Sequence, residues 1–272
     1  MRLVRSELLK VRTVSTWWVF GIIALVLWAL ATGVNWISTA VLVNPPEGTP
    51  NDDAQFNAVR EAANVAANLY TSGQFFGLMI VMLIGVIVVT NEFAHQTATT
   101  TFLTTPRRTA VILAKLAAAG IVGLLFWLGT TLLNFLVAPL ILGLYDVPSQ
   151  LGTSALWQAI LLNGLAYLIW AVIGVGFGVL IPSQLAGTIT TSALYIGGFF
   201  AGAIVLNLLA DKFGDWWNNL QLIVPPLASG LLVTGTDLPG SPPRWSGAAV
   251  LIAYALVAGV IGTLITRKRD IS

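Results

Sequence analysis

Six long runs of apolar residues dominate this sequence, and each has the length of a membrane-spanning helix. A helix needs about 20 mostly apolar residues to cross the hydrocarbon layer of a bilayer. The runs cover residues 17–43, 69–90, 110–138, 156–181, 185–209 and 248–266. With 57% hydrophobic and 9% charged residues, the chain has too few polar side chains to coat a water-soluble core of its size. The sequence therefore predicts an all-α, polytopic membrane protein with six transmembrane helices in one domain.

Two of these runs need separate treatment. The fourth and fifth are divided only by Pro182, Ser183 and Gln184, which predict a tight helical hairpin because proline stops a helix. The first run is longer than the apolar region of a signal peptide, and no small-x-small cleavage site follows it. We therefore expect an uncleaved first span.

Basic residues predict the orientation of the chain, because Lys and Arg collect in short cytoplasmic loops. Ten of the 13 lie before the first run, between the second run and the start of the third, or after the last run. They are Arg2, Arg5, Lys10, Arg12, Arg107, Arg108, Lys115, Arg267, Lys268 and Arg269. The other three, Arg60, Lys212 and Arg244, fall on the opposite side. Both termini are predicted to be cytoplasmic.

The spans contain almost no titratable groups, which bears on the source of energy. Lys115 lies near the cytoplasmic start of the third span, and we expect its side chain to snorkel to the interface. No Asp, Glu, His or Arg lies inside a predicted span, whereas ion-coupled carriers usually keep such residues at membrane depth. None of the four lysines follows a glycine, so a phosphate-binding loop is excluded.

Chemistry at a metal or thiol site is also not expected. The chain has no cysteine and one histidine, His95. The glycines of residues 174–178 lie inside a span without a preceding strand, so we interpret them as a helix-packing surface rather than a dinucleotide loop. We expect a non-catalytic chain that holds no metal and no cofactor of its own.

Residues 1–16 predict an amphipathic helix that lies in the membrane interface. Leu3, Val4, Leu8 and Val11 share one arc, and the basic residues lie off it. Glu7 projects from within the apolar arc. Either it pairs with Lys10 one turn later, or it has a partner outside this helix.

Two connecting segments carry further predictions. Residues 91–108 form either a solvated loop or a short helix parallel to the membrane, and Pro106 suits the first turn of the third span. Residues 211–247 contain an apolar stretch that Pro225 and Pro226 interrupt, which is too short to span and predicts an interfacial or re-entrant external segment. In the first external loop, a helical stretch from Ala54 to Asn68 is expected to cap the outer face.

Several of these stretches together resemble the membrane subunit of ABC type-2 exporters, especially the half-size actinobacterial permeases. They are residues 6–13 (SELLKVRT) before the first span, Asn91-Glu92-Phe93, residues 97–108 ending in Pro106-Arg107-Arg108, and residues 113–116 (LAKL). The likeness extends over nearly the whole chain, including six spans and a fourth span that ends at Pro182.

The resemblance implies a function, a location and partners. It implies a bacterial plasma-membrane permease that forms the pathway for export of an amphipathic or lipophilic compound, such as a drug, a lipid or a peptide-like molecule. A separate cytoplasmic ATPase subunit would carry ATP and Mg²⁺, and a second permease, expected to be another copy of this chain, would complete the pathway. Membrane lipids would surround it, with no nucleic acid involved. The cargo, and the choice between two copies and a related second permease, stay open.

The resemblance also implies roles for particular residues. An N-terminal connecting helix and a coupling helix between spans two and three would meet the ATPase through Glu7, Lys10, Arg12, Glu92, Phe93, Thr97, Arg107 and Arg108. The second and fifth spans would line the pathway with Phe75, Phe76, Met79, Met82, Tyr195, Phe199 and Phe200. The alternative function is a non-transporting membrane anchor or sensor subunit that recruits a soluble ATPase or signalling partner.

Overall fold

The computed structural model describes residues 2–13, 16–47, 54–96 and 108–268, and every regular element in them is helical. The elements are α1 (Arg2–Thr13), α2 (Thr16–Val43), α3 (Ala54–Val59), α4 (Ala62–Tyr70), α5 (Gln74–Ala94), α6 (Arg108–Leu144), α7 (Ser154–Leu180), α8 (Gln184–Phe213), a 3₁₀ helix (Asp215–Ile223), α9 (Pro225–Leu231) and α10 (Arg244–Lys268). Six segments are long and apolar enough to cross a membrane: α2, α4 with α5, α6, α7, α8 and α10. The predicted all-α class and the six spans are confirmed.

Helices α5 and α7 form the centre of the bundle, and glycines let their backbones approach closely. A Cβ atom on Gly85 would lie 2.5 Å from the Ala171 carbonyl oxygen, and one on Gly178 would lie 2.8 Å from the Val86 carbonyl oxygen. A Cβ on Gly174 would collide with the carbonyl oxygen of Met82. The interpretation of residues 174–178 as a packing surface is therefore confirmed.

Helices α2, α8 and α10 lie at the periphery, and most of their apolar side chains are exposed on the isolated chain. In water such a surface would be unfavourable, but lipid tails solvate it well. The bundle therefore has a buried pair of helices at its centre and an outer layer with an apolar surface, as a multi-pass membrane protein requires.

The second span is not the continuous helix that the sequence predicts from Leu69. Helix α4 ends at Tyr70, α5 begins at Gln74, and residues 71–73 form a buried turn. Gly73 has a φ of +84°, a left-handed conformation that favours glycine. Helix α4 itself is largely buried against α2, α6 and α7. The stretch from Ala54 to Asn68 is therefore not one capping helix, because it bends at residues 60–61 and its second half joins the bundle.

Asn134 of α6 satisfies the backbone groups that this turn exposes. Its side-chain amide donates to the carbonyl oxygens of Tyr70, at 3.0 Å, and Ser72, at 3.1 Å. Its Oδ1 accepts a 2.7 Å hydrogen bond from Nε1 of Trp28, on α2. Because a bilayer core offers no water to replace these bonds, Asn134 holds the interrupted span and α2 together.

We expect Asn134→Leu to lower the free energy of unfolding by about 1–3 kcal/mol, because two buried carbonyls and one indole N–H lose their partner. Denaturant unfolding in detergent measures this loss. Asn207→Leu is the matched control, since that amide donates to Ala203 of its own helix at an exposed position. Equal losses in the two variants would contradict the bridging role of Asn134.

The segment between α8 and α10 consists of the 3₁₀ helix and α9, neither of which is long enough to span. Protein surrounds much of α9 and the residue that follows it, since Ser229 and Leu232 are almost fully buried. Trp170 of α7 donates to Ser229 Oγ at 2.8 Å, and Gln74 of α5 donates to the Ser229 carbonyl oxygen at 3.1 Å. The segment is thereby fixed to the two central helices.

Candidate functional site

Four charged side chains from three helices meet at the end of the bundle that the basic residues predict to be cytoplasmic. They are Glu7 and Lys10 of α1, Glu92 in the last turn of α5, and Lys115 of α6. We call this group the charge cluster. Residues from distant parts of the sequence meet there, since 108 positions separate Glu7 from Lys115.

Each of the two lysine ammonium groups contacts both glutamate carboxylates. Lys10 Nζ lies 2.7 Å from Glu7 Oε1 and 2.6 Å from Glu92 Oε1. Lys115 Nζ lies 2.8 Å from Glu7 Oε2 and 2.8 Å from Glu92 Oε1. A 3.3 Å hydrogen bond to the Val88 carbonyl oxygen gives the Lys115 ammonium a third acceptor. Its three donors are thus all engaged.

The cluster is buried and electrically balanced. Lys115 is 1% exposed, Glu7 4% and Glu92 6%, whereas the Lys10 side chain is 46% exposed. Two positive and two negative charges cancel, which a medium of low dielectric constant requires. Removing one member would leave an uncompensated buried charge. The cluster therefore couples the position of α1 to those of α5 and α6.

Lys10 stays protonated throughout the neutral range. Burial by itself would lower its pKa, but hydrogen bonds to Glu7 and Glu92 and the charges of both carboxylates outweigh burial and raise the pKa above the usual 10.5. Because the pKa is raised on folding, the stabilisation from Lys10 is present below pH 10.5 and is lost as the pH rises through the folded-state value.

Apolar packing of α1 brings Glu7 to this position. Leu8 and Val11 pack against a small core that includes Ile84 of α5 and Val122 of α6. Glu7 is on the same side of α1, so its carboxylate is directed between α5 and α6. Both interpretations of Glu7 are correct, because one oxygen binds Lys10 and the other binds Lys115.

Two sequence predictions need correction at this site. Lys115 does not snorkel to the interface, because buried carboxylates on neighbouring helices bind its ammonium group inside the protein. Glu92 does not lie in a loop beyond the span, because α5 continues to Ala94. Sequence reasoning placed Glu7, Lys10 and Glu92 on one functional surface but missed Lys115, and the one available signal was a lysine inside an apolar run.

A cavity of about 270 Å³ lies beside the cluster. Its polar lining comes from Glu7, Lys10, Thr13, Asn91, Glu92 and His95. His95 is exposed and follows the last residue of α5. In the described part of the chain, no three His, Cys, Asp or Glu residues lie close enough together to hold a metal ion.

The other predicted coupling residues lie apart from the cluster or beyond the described ranges. Arg12 is exposed at the end of α1, and Phe93 is half-buried against the main core. Arg108 is the first residue of α6, but its side chain is outside the described part, as are residues 97–107 of the predicted coupling segment, with Thr97 and Arg107. Contact of these residues with an ATPase stays a prediction.

Five predicted pathway residues form one aromatic group between α5 and α8. Phe75 contacts the rings of Phe76, Tyr195, Phe199 and Phe200, with centroid distances from 4.7 to 6.4 Å. The Tyr195 hydroxyl donates to the Phe75 carbonyl oxygen at 2.7 Å. Phe200 is 54% exposed, so this group reaches the surface of the isolated chain.

The two methionines predicted to line the pathway differ in exposure. Met79 is half-buried against the main core. Met82 is 1% exposed and its backbone adjoins Gly174, so within one chain it packs between α5 and α7 rather than facing an opening. A pathway role for the seven residues stays a prediction.

Comparison with models of known protein families gives a match over most of the chain. The model of a family described as a protein of unknown function, DUF2705, matches residues 51–272. The chain belongs to the DUF2705 family. The DUF2705 match includes Glu92 and Lys115 but begins after α2, so Glu7 and Lys10 lie outside it. Comparison with curated proteins found no match.

Proposed function

We propose that this chain is the permease subunit of an ATP-driven exporter in a bacterial plasma membrane. It forms the pathway for an amphipathic or lipophilic compound, and a separate cytoplasmic subunit hydrolyses ATP. The observation that carries the proposal is the charge cluster, which joins an amphipathic helix, at the end of the bundle predicted to be cytoplasmic, to two spans.

The cluster suits the transmission of force from a partner. If a soluble subunit displaces α1, the displacement either breaks buried ion pairs or carries the ends of α5 and α6 with it. Breaking a buried pair costs about 3–5 kcal/mol, so concerted movement of the helices is favoured. The half-exposed Lys10 gives the partner access to the cluster from the cytoplasm.

Two further features support a source of energy outside this chain. Its lysines are in no phosphate-binding loop. The buried charges of the described spans, Glu92 and Lys115, are paired with each other and with α1 near one end of the bundle. An ion-coupled carrier would instead use titratable groups along its pathway.

A second copy of the chain is proposed to complete the pathway. The aromatic group around Phe75 reaches the surface between α5 and α8, and α8 is mostly exposed on the isolated chain. A homodimer would place two such groups opposite each other. Apolar and aromatic side chains of this kind suit a lipophilic cargo.

The test begins with the complex purified from its native membrane through a tag on this chain. We expect an ATP-hydrolysing subunit to copurify, and we expect the reconstituted complex to move a fluorescent phospholipid analogue only when ATP is present. Lys10→Gln should lower lipid-stimulated ATP hydrolysis several-fold by weakening the link to α1, whereas Lys212→Gln, at an exposed and distant position, should not change it.

Three outcomes would refute the proposal. ATP hydrolysis without movement of the analogue would favour the anchor or sensor function. Movement that persists without ATP and stops when an ion gradient is collapsed would indicate an ion-coupled carrier. Equal ATP hydrolysis in Lys10→Gln and the unmodified chain would contradict a role of the charge cluster in coupling the ATPase subunit to the spans.

A further inference from the structure

An apolar groove of about 700 Å³ runs along the outside of the bundle between α2 and α6, and α1 closes one end of it. Its walls are almost wholly apolar, and three small residues, Gly21, Ala24 and Gly129, leave it open. Neither Gly21 nor Gly129 has an atom within 4 Å of the position that a Cβ would occupy. No neighbouring side chain therefore fills the groove at these two glycines.

The groove has the depth of one membrane leaflet. On α6 its lining runs over residues 121–133, which is roughly 18 Å at 1.5 Å per residue. The hydrocarbon layer is about 30 Å thick, so one leaflet is about half of that. The Trp28–Asn134 hydrogen bond lies at the end of the groove opposite α1, between the groove and the turn in the second span.

The other end of the groove contains the charged residue of its lining, Arg12, beside a tryptophan. Arg12 and Trp17 line the groove where α1 meets α2, on the side that the basic residues predict to be cytoplasmic. Arg12 is exposed and has no ion-pair partner among the described residues. The nearby carboxylate of Glu7 is occupied by two lysines. An arginine beside an interfacial tryptophan is suited to a phosphate at the depth of the headgroups.

We propose that this groove binds a single anionic phospholipid of the cytoplasmic leaflet, with an acyl chain along α2 and α6 and the phosphate against Arg12. One-leaflet depth, apolar walls and a cation at one end match the anatomy of such a lipid. A lipid phosphate also supplies the counter-charge that no ion pair gives Arg12 among the described residues. Arg12 is also one of the residues predicted to meet an ATPase, but lipid binding by the chain alone requires neither ATP nor cargo.

Native mass spectrometry of the purified, delipidated chain tests the site directly. Phosphatidylglycerol and phosphatidylcholine with identical acyl chains are the two probes. We expect one phosphatidylglycerol per chain, held about fivefold more tightly than phosphatidylcholine, because one basic residue contributes about that factor towards an anionic headgroup. Arg12→Gln should abolish the preference while leaving weak binding of both lipids.

Filling the groove should act differently from removing the charge. Gly21→Leu and Gly129→Leu should reduce binding of both lipids about tenfold or more, because the side chain takes the space of several methylene groups. Gly33→Leu is the matched control, since Gly33 is also open and lies on α2 but does not line the groove. It should bind lipid as the unmodified chain does.

The proposal fails if the unmodified chain binds no lipid stoichiometrically. It also fails if the groove-filling variants, with thermal midpoints equal to that of Gly33→Leu, bind as much lipid as the control. Equal affinity of the unmodified chain for the two lipids would contradict the proposed preference for an anionic headgroup and the role of Arg12 in it. ATP-driven transport is a separate measurement, so its failure would leave these outcomes unchanged.

Discussion

Replacing Lys115 with methionine is expected to lower the free energy of unfolding by about 3–5 kcal/mol, because it leaves Glu7 and Glu92 buried with only Lys10 to compensate them. Methionine keeps most of the volume of lysine, so the loss reports on charge rather than on a cavity. Thermal and denaturant unfolding in a non-ionic detergent measure the change. Lys212→Met is the control, because Lys212 is exposed and far from the cluster.

A second variant separates charge imbalance from a general loss of packing. Adding Glu7→Gln to Lys115→Met leaves Lys10 and Glu92 as one balanced pair, so the double variant should be more stable than the sum of the two single losses predicts. Lys10→Met should cost less than Lys115→Met, since water screens the half-exposed Lys10. Additive losses in the double variant would mean that the four groups do not act as one cluster.

Gly174→Leu is expected to disrupt the bundle, with a loss of about 3 kcal/mol or more and a fall in the yield of monodisperse protein. A side chain at this position would collide with the backbone of α5 at Met82. Overpacking of a core usually costs about 1–3 kcal/mol when side chains can shift, but here the obstacle is main chain. Size-exclusion chromatography and thermal unfolding measure both effects.

Gly259→Leu provides the control for this substitution. It makes the same chemical change in a membrane helix, but a Cβ at Gly259 meets nothing within 4 Å. Its yield and thermal midpoint should match those of the unmodified chain. If Gly174→Leu behaved like Gly259→Leu, the close approach of α5 and α7 would not be needed for folding.

Helix α5 is the element that connects the two predictions. One end of α5 carries Glu92 into the charge cluster, and its middle packs against the glycines of α7. Its other end follows the turn that Asn134 holds. Under the proposed function, movement of α1 would reach the aromatic group around Phe75 through this helix.

Much of the architecture follows from the order of apolar, small and helix-breaking residues along the chain. A span must be apolar over about 20 residues whatever its neighbours are, so the six spans could be located from hydropathy and the break between α7 and α8 from Pro182. The glycines of residues 174–178 also had a local signal, since small residues at a spacing of four permit close packing of helices. These features depend on neighbouring residues in the chain or on the bilayer.

The predictions that were wrong depend on contacts between distant residues. The turn at residues 71–73 has a local signal in Thr71-Ser72-Gly73, which hydropathy averaged over the span does not register. Asn134, about 60 positions later, binds the carbonyl oxygens that the turn frees. Lys115 would snorkel if it were alone, but two carboxylates on other helices bind it inside the protein. The residue pattern of a single helix does not reveal Asn134 as the partner of the turn, nor the two carboxylates as the partners of Lys115.

The sequence by itself determined that the chain is an all-α membrane protein with six spans, and it predicted which end of the bundle is cytoplasmic. The spans follow from the transfer of apolar side chains from water to lipid, and the predicted orientation follows from the excess of Lys and Arg in cytoplasmic loops. Only the tertiary structure decided that four charges form one balanced cluster and that a groove opens beside it. Electrostatic pairing in a low-dielectric medium depends on distances of a few ångströms between helices, and hydropathy does not specify those distances.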